Sequence, residues 1–346
     1  MDPDWTRWDT YLVSREDVAL CLAFAVALTL MRYRVQVRSF FLSFFLLFLS
    51  FSFSRSLALH VYNLLTRLPF FSLLSVTFFF SFFLSRSFSL TLHSQSAVIK
   101  MAGQWGLEKA NVETQRKLSE SVWKMLFYLT SFGWGTLLVA RRDWIWINSY
   151  DALFDHVPTL YAAPDSIDAD IRLFYLFELG FYVHSVYAHV AIEIRRKDFV
   201  EMLVHHVATF ALIAISYSTR FVAVGTLIVC LHDLSDILLE TAKQYIYLGR
   251  ETMANLWFAI WVLSWIVLRL VYFPFFILPG SLWISPGKIG RYPHWASCAV
   301  MLIVLQILHI FWTWMIARMI WRMFAGGDKV RDTREDDNTD ESSKED

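Results

Sequence analysis

Long apolar runs recur along this chain, and most are long enough to cross a membrane as helices. A transmembrane helix needs about twenty consecutive, mostly apolar residues. Six such runs follow residue 120, and one shorter run lies near the N-terminus. The runs cover residues 18–31, 121–140, 171–192, 199–217, 221–239, 254–277 and 295–318. This pattern predicts an all-α polytopic membrane protein with about seven transmembrane helices, and we expect the last six to form a ring around a central cavity.

The fourth and fifth runs carry polar groups that are costly inside a lipid bilayer. An ionisable side chain at membrane depth costs roughly 2–3 kcal/mol or more, so it normally lines a cavity or takes part in function. The short turn 216–220 joins the two runs, which should therefore pack antiparallel. Among the ionisable residues between positions 199 and 243 are His205, His206, His232, Asp233, Asp236, Glu240 and Lys243.

The spacing of these residues predicts one polar site. Residues four apart lie on the same face of a helix, so His205 shares a face with Thr209, and His232 with Asp236. Counted back from the turn, both faces lie at similar depth. Three interpretations compete: histidines satisfied inside a core, ligands of iron or zinc, and catalysis by imidazole. The metal interpretation is weaker because adjacent histidines diverge by about 100° on a helix, and the number of polar groups favours catalysis over a core.

The order of these residues resembles a known family motif. The chain reads His205-His206-x-x-Thr209, Ser216-Tyr217, Gly225-Thr226-Leu227 and Leu231-His232-Asp233-x-x-Asp236-x-x-x-Glu240-x-x-Lys243. This is similar to the Lag1 motif of ceramide synthases, in the TRAM-Lag1-CLN8 domain class. Two departures affect mainly the turn. The family usually has Arg where this chain has Ala223, and often Asn where this chain has Thr219 and Arg220.

The resemblance implies N-acylation of a sphingoid base by a fatty acyl-CoA, which yields ceramide or dihydroceramide. We expect His205 or His206 to act as base or acyl-carrying nucleophile, and Asp236 to orient that histidine and balance its charge. Asp233 and His232 would complete the site. Residues of the cavity or its surroundings would be Thr209, Ser216, Tyr217, Glu240 and Lys243. Acyl-CoA is then a co-substrate, and neither a metal nor a bound cofactor is required.

Other polar residues lie within the predicted spans, where they would serve either the same cavity or helix–helix hydrogen bonds. These are Glu178, His184, His189, Arg269, Gln306 and His309. An ion pair between Glu178 and Arg269 is one expectation. Two further functions stay open: a non-enzymatic lipid-binding or translocon-associated member of the same class, and a metal-dependent lipid hydroxylase.

Composition and charge divide the chain into five regions. Residues 1–37 hold the first anchor, and 38–99 form a Phe/Ser/Leu insert. This insert is either a membrane hairpin or, because Phe, Ser and Leu share pyrimidine-rich codons, a translated polypyrimidine stretch such as a retained intron. Residues 100–120 form a charged linker, 121–323 the catalytic domain, and 324–346 an acidic tail. Ser342 and Ser343 each precede an acidic residue by three positions, as in acidophilic kinase sites. The 31 basic and 31 acidic residues balance, so no nucleic-acid partner is indicated.

Basic loops predict the orientation of the spans, because cytosolic loops are enriched in Lys and Arg. With seven spans most basic clusters lie on one side, which places the N-terminus in the lumen and the tail in the cytosol. The resemblance implies the endoplasmic reticulum membrane, and leaves a homo- or heterodimer open.

Overall fold

The computed structural model describes residues 14–37, 112–142, 167–193, 196–290 and 294–326. Within these ranges every regular element is helical, so the predicted all-α class is confirmed. Two π-helical segments, Ile266–Ile277 and Gly280–Ile284, interrupt the series of α-helices. The α-helices are α1 (Arg15–Val37), α2 (Val112–Arg141), α3 (Ala169–Ala191), α4 (Phe199–Ser218), α5 (Val222–Tyr247), α6 (Glu251–Trp265), α7 (Ser285–Ile289) and α8 (Trp295–Gly326).

The described helices account for all seven predicted spans. Four stretches are long and apolar enough to cross a membrane: Phe199–Ser218, Val222–Tyr247, Glu251–Gly287 and Trp295–Met323. The other three predicted spans coincide with α1, α2 and α3, which have 23, 30 and 23 residues and carry more polar side chains. The chain is therefore a polytopic membrane protein.

The chain divides into two compact units, Met1–Thr29 with Ser131–Asp346, and Leu30–Thr130. In the first unit, α4 contacts α3, α5 and α8, while α5 and α8 both contact the segment Ile266–Ile277. The helices α4, α5, α6 with its π-helical continuation, and α8 thus each contact two others of this group. A cavity is lined mainly by α4, α5 and α8, with Tyr182 of α3 and Ser281 of the segment Gly280–Ile284. In the second unit, Glu120 pairs with Arg32 at 3.8 Å and with Lys124 at 2.7 Å.

The turn between α4 and α5 is held by hydrogen bonds to the end of α4. Thr219 Oγ1 and Ser218 Oγ donate to the carbonyl oxygen of Ile215, at 2.6 and 3.0 Å. Arg220 then adopts φ 64°, in the left-handed region where Gly and Asn are favoured. This explains why Asn is common in this turn in the family, and why the antiparallel arrangement of α4 and α5 needs only a few residues.

The third of the four apolar spans departs from α-helical geometry. It changes to π-helix at Ile266, and Pro274 lies inside the π-helical segment. Proline lacks the N–H that a helix interior uses, so a regular α-helix is disfavoured there. The wider turn places Arg269 in the interior, with only 4% of its surface exposed.

The first helix packs closely on α3 at Gly180. A Cβ atom at Gly180 would lie 2.6 Å from Cβ of Phe24 and 3.0 Å from the carbonyl oxygen of Cys21, so only glycine permits this approach. Polar contacts flank it: Arg172 Nε donates to Asp17 Oδ1 at 2.6 Å, and Thr29 Oγ1 lies 2.8 Å from His184 Nδ1.

Several predicted regions lie outside the described residues. These are the Phe/Ser/Leu insert 38–99, residues 100–111 of the charged linker, and residues 327–346 of the tail with Ser342 and Ser343.

Candidate active site

Helix α4 presents its adjacent histidines to different neighbours. The imidazole of His205 lies 5.4 Å from the Trp312 ring of α8, centroid to centroid, while His206 lies 6.2 Å from Tyr182 of α3. The two imidazoles remain 5.6 Å apart. Thr209 Oγ1 donates to the His205 carbonyl oxygen at 2.8 Å, one turn along the helix. Among the described residues, Nδ1 of His205 is buried without a hydrogen-bond partner.

A second histidine pair joins α5 to α8. Nε2 of His232 lies 3.2 Å from Nε2 of His309, and His232 Nδ1 lies 2.8 Å from the Ile228 carbonyl oxygen. His309 is fully buried, with its ring 5.0 Å from Phe273. His205 interacts electrostatically with both His232 and His309. These interactions link His205 of α4 to His232 of α5, and α8 adds a further imidazole.

The carboxylate of Asp236 forms an ion pair with Arg269. Arg269 Nη2 donates to Asp236 Oδ1 at 2.8 Å and, more weakly, to the His232 carbonyl oxygen at 3.4 Å. The guanidinium also lies over the Trp265 ring, 4.5 Å from its centre. Among the described residues, the ion pair of Arg269 is therefore with Asp236 and not, as expected, with Glu178.

Asp233 and Glu178 are the most deeply buried acids near this cluster, with 3% and 1% of their surface exposed. Asp233 interacts electrostatically with Glu178, Asp236 and Arg269. The buried Arg269 guanidinium therefore lies among several carboxyl groups, which is the arrangement that keeps its charge compensated in an apolar interior.

The cavity extends from this cluster toward the α4–α5 turn. Along α4 it runs from Thr209 to Thr219, which is about 15 Å of helix. His232, Thr209 and Tyr182 line the end near the cluster, and apolar side chains dominate the rest. The lining residues are Tyr182, Thr209, Leu212, Ile213, Ile215, Ser216, Thr219, Phe221, Val224, Gly225, Ile228, Val229, His232, Ser281, Cys298, Leu302 and Leu305.

The remaining predicted site residues lie away from the cluster. Ser216 lines the far end of the cavity, where its Oγ donates to the Phe221 carbonyl oxygen at 2.8 Å. Tyr217 is buried and its hydroxyl donates to Asp17 Oδ2 at 3.4 Å. Lys243 Nζ donates to Glu240 Oε1 at 2.7 Å on α5 itself. Ser216 and Tyr217 therefore hold the turn, and Glu240 and Lys243 pair with each other.

Three contributors were not assigned to the site from the sequence. His309 and Arg269 were recognised only as polar residues within spans, and Trp312 was not singled out. A buried Asp198 also accepts a hydrogen bond from Trp312 Nε1 at 3.3 Å, which ties α8 to the start of α4. The only signal for His309 and Arg269 in the sequence is a polar or charged side chain at membrane depth.

In the part of the chain that the structure describes, no group of three or more His, Cys, Asp or Glu residues is arranged to hold a metal ion.

Comparison with known proteins identifies the family. A model of the TLC domain (TRAM_LAG1_CLN8) matches residues 117–318, more than half of the chain. "ASC1-like protein 3" of Oryza sativa subsp. japonica is 38% identical over 232 residues, which cover 64% of this chain and 78% of that protein.

Two further relatives carry functional names. "Ceramide synthase LOH2" of Arabidopsis thaliana is 34% identical over 64% of this chain and 75% of its own length. "Ceramide synthase 5" of Homo sapiens is 35% identical over 64% of this chain and 55% of its own length. The resemblance found in the sequence motif is confirmed, and the chain belongs to the TLC domain family.

Proposed function

We propose that this protein transfers the acyl group of a fatty acyl-CoA to the amine of a sphingoid base and so forms ceramide or dihydroceramide. The observation that carries the proposal is the cluster of His205, His206 and His232, of which His232 lines one end of an apolar cavity. Relatives named ceramide synthase support the same reaction.

The reaction requires a group that accepts a proton. The amine arrives protonated and must lose a proton before its nitrogen attacks the thioester carbon. The new C–N bond forms, the C–S bond breaks, and the nitrogen loses a second proton as it becomes an amide. One of the two protons is released to solvent and the other is taken up by the coenzyme A thiolate. A neutral imidazole can carry that proton from amine to thiolate, or can itself attack the thioester and hold the acyl group between two steps. His205 suits this role because its Nδ1 is buried without a partner among the described residues, and His206 is the second candidate.

The carboxylates provide charge balance around the histidines. A buried cation near an imidazole opposes its protonation, and Arg269 lies beside His232 and Asp236. Asp236 neutralises that cation, so the imidazoles remain able to accept a proton. Asp233 adds a further acid and His232 a further imidazole to the same site.

The cavity supplies the environment for the acyl chain. Its apolar lining accommodates a hydrocarbon chain and excludes water, which protects the thioester from hydrolysis. Thr209 lies at the reactive end and Ser216 at the far end. Fatty acyl-CoA serves as co-substrate, and the chemistry needs neither a metal nor a bound cofactor.

The cellular setting follows from the same proposal. The protein would lie in the endoplasmic reticulum membrane with its N-terminus in the lumen and its tail in the cytosol. The histidine end of α4 then faces the cytosol, where acyl-CoA is available. A homo- or heterodimer is compatible with this arrangement.

The test is acyl transfer from acyl-CoA to sphinganine in microsomes from cells that lack endogenous activity. We expect the parent to form dihydroceramide, and His205→Ala to lower the rate by at least about 100-fold, the effect of losing a general base. His206→Ala should reduce the rate less if His205 carries the proton. His184→Ala is the matched control, because His184 is a buried histidine that hydrogen-bonds Thr29 outside the cluster.

An inactive parent would remove the proposed reaction and favour a lipid-binding role. Full activity in both the His205 and His206 variants would instead remove the assignment of the site.

A further inference from the structure

The hydrogen bonds of His232 and His309 fix the tautomers of both rings. A carbonyl oxygen only accepts hydrogen bonds, so His232 Nδ1, 2.8 Å from the Ile228 carbonyl oxygen, carries the hydrogen. In a neutral imidazole the other nitrogen is then an acceptor. Nε2 of His309, 3.2 Å from His232 Nε2, must therefore be the donor in this contact.

The two histidines differ in their access to the cavity. His232 lines the cavity, whereas the fully buried His309 does not. The His309 ring packs between Phe273 and Trp265, at centroid distances of 5.0 and 5.9 Å. His309 can therefore affect a molecule in the cavity only through His232.

We propose that His309 is a positioning residue for acyl transfer, and that its Nε2–H holds the His232 imidazole in one tautomer and one orientation against the cavity. This inference rests on the proposed function. The His232 ring is held on both nitrogens, by Ile228 from its own helix and by His309 from α8. A ring held at both ends presents a fixed edge to the reacting groups and needs no reorganisation during the reaction.

Loss of the His309 donor leaves His232 with only the hydrogen bond to Ile228, so its ring is free to rotate. The substrate-binding cavity keeps its lining, so the Michaelis constants should hold while kcat falls. A buried ring that merely fills space would behave differently, since any side chain of similar volume would replace it.

Two substitutions of similar size separate these roles. Gln at position 309 keeps an N–H donor, and Met removes it. We expect His309→Met to lower kcat by about 10- to 100-fold, the effect of losing one hydrogen bond that orients a residue of the site. The KM values for sphinganine and acyl-CoA should change less than about three-fold. His309→Gln should retain activity within about five-fold of the parent. His184→Met is the control for placing methionine in a buried histidine site, and should leave kcat near that of the parent.

A double-mutant cycle tests whether His309 acts through His232. With His232→Met as the second substitution, which leaves no strong acceptor for His309 Nε2–H, His309→Met should lower the residual rate no further, because the shared contact is already lost.

Equal activity of the Gln and Met variants, or additive losses in the cycle, would overturn the positioning role. The melting temperatures show whether each variant folds. A parent that forms no product would remove the proposed function itself, whereas an active parent with an unaffected His309→Met variant would remove only this inference.

Discussion

The pair of Asp236 and Arg269 couples stability to chemistry at the level of single residues. Arg269 is 4% exposed and Asp236, at its side chain, 25% exposed. Removing one partner of a buried pair leaves a charge without compensation and costs roughly 3–5 kcal/mol. The pair also holds the guanidinium beside the His232 backbone, so its loss should affect both folding and catalysis.

We predict that Asp236→Asn lowers stability by about 3 kcal/mol, since it leaves the Arg269 cation in an apolar interior. Adding Arg269→Gln should recover part of that stability, because two uncharged amides replace the ion pair. Activity should remain low in both variants. Thermal unfolding in detergent and acyl transfer measure the two properties separately. If activity returned together with stability in the double variant, Asp236 would serve folding alone.

The sequence indicated which residues are candidates for the site, but not which side chains they contact. His205, His206, His232 and Asp236 could be identified because ionisable groups are rare at membrane depth. The partner of His232 lies 77 positions away on α8, and that of Asp236 lies 33 positions away on a π-helical segment. Contacts at such separations depend on how the helices rotate and pack, which hydrophobic periodicity does not specify.

At the scale of elements, the α4–α5 hairpin depends on a close approach at Gly225. A Cβ atom there would overlap both Ser216 Oγ and the Tyr175 hydroxyl. Tyr175 donates to the Val222 carbonyl oxygen at 3.0 Å and contacts Ser216 at the same distance. Glycine in the family motif is thus explained by packing between α3, α4 and α5.

Gly225→Ala should therefore destabilise the protein by about 1–3 kcal/mol, the usual cost of overpacking a core. It should also narrow the cavity, which Gly225 lines. The expected result is a lower melting temperature and a product distribution shifted toward shorter acyl chains, measured by mass spectrometry of ceramides. Gly249→Ala offers a contrast, because no atom lies near its Cβ position, although its φ of 65° also disfavours alanine. An unchanged product distribution in Gly225→Ala would show that this end of the cavity does not limit the chain.

The packing of the start of α1 against α3 and α4 provides a second test at this scale. Asp17 is buried and accepts hydrogen bonds from Arg172 Nε and from the Tyr217 hydroxyl. Asp17→Asn should lower stability by roughly 1.5–3 kcal/mol, the range for hydrogen bonds to a charged group. Because Asp17 lies outside the histidine cluster, the rate per folded enzyme should stay the same. A large loss of rate without a loss of stability would place α1 in the catalytic machinery instead.

Element positions were more predictable than element geometry. All seven apolar runs became helices, because length and hydropathy suffice to specify a membrane-spanning helix. The third of the four most apolar spans was predicted as one helix over 254–277, yet it becomes π-helical at Ile266. An apolar run is equally compatible with α-helix and π-helix, so hydropathy does not distinguish them. Only Pro274 indicates a departure from regular α-helix in this span.

At the scale of the whole chain, the insert 38–99 separates helices that are connected by their own contacts. Residues of α1 up to Thr29 pack on α3, independently of the insert. Beyond them, Arg32 pairs with Glu120 of α2 at 3.8 Å. Because α1 extends five residues past Arg32 and α2 begins eight residues before Glu120, the two helix ends lie on the order of 20 Å of helix from this contact in total.

We predict that a variant without residues 38–99 folds and forms ceramide at a rate within about three-fold of the full chain. Residues 100–111 would then join α1 to α2, and twelve residues reach roughly 40 Å when extended, more than the separation that the ion pair implies. A variant that also lacks residues 100–111 has no linker and should lose its monodisperse peak in detergent gel filtration. Failure of the shorter deletion to fold, with the full chain folding normally, would mean that the insert contributes to the structure and is not a translated intron.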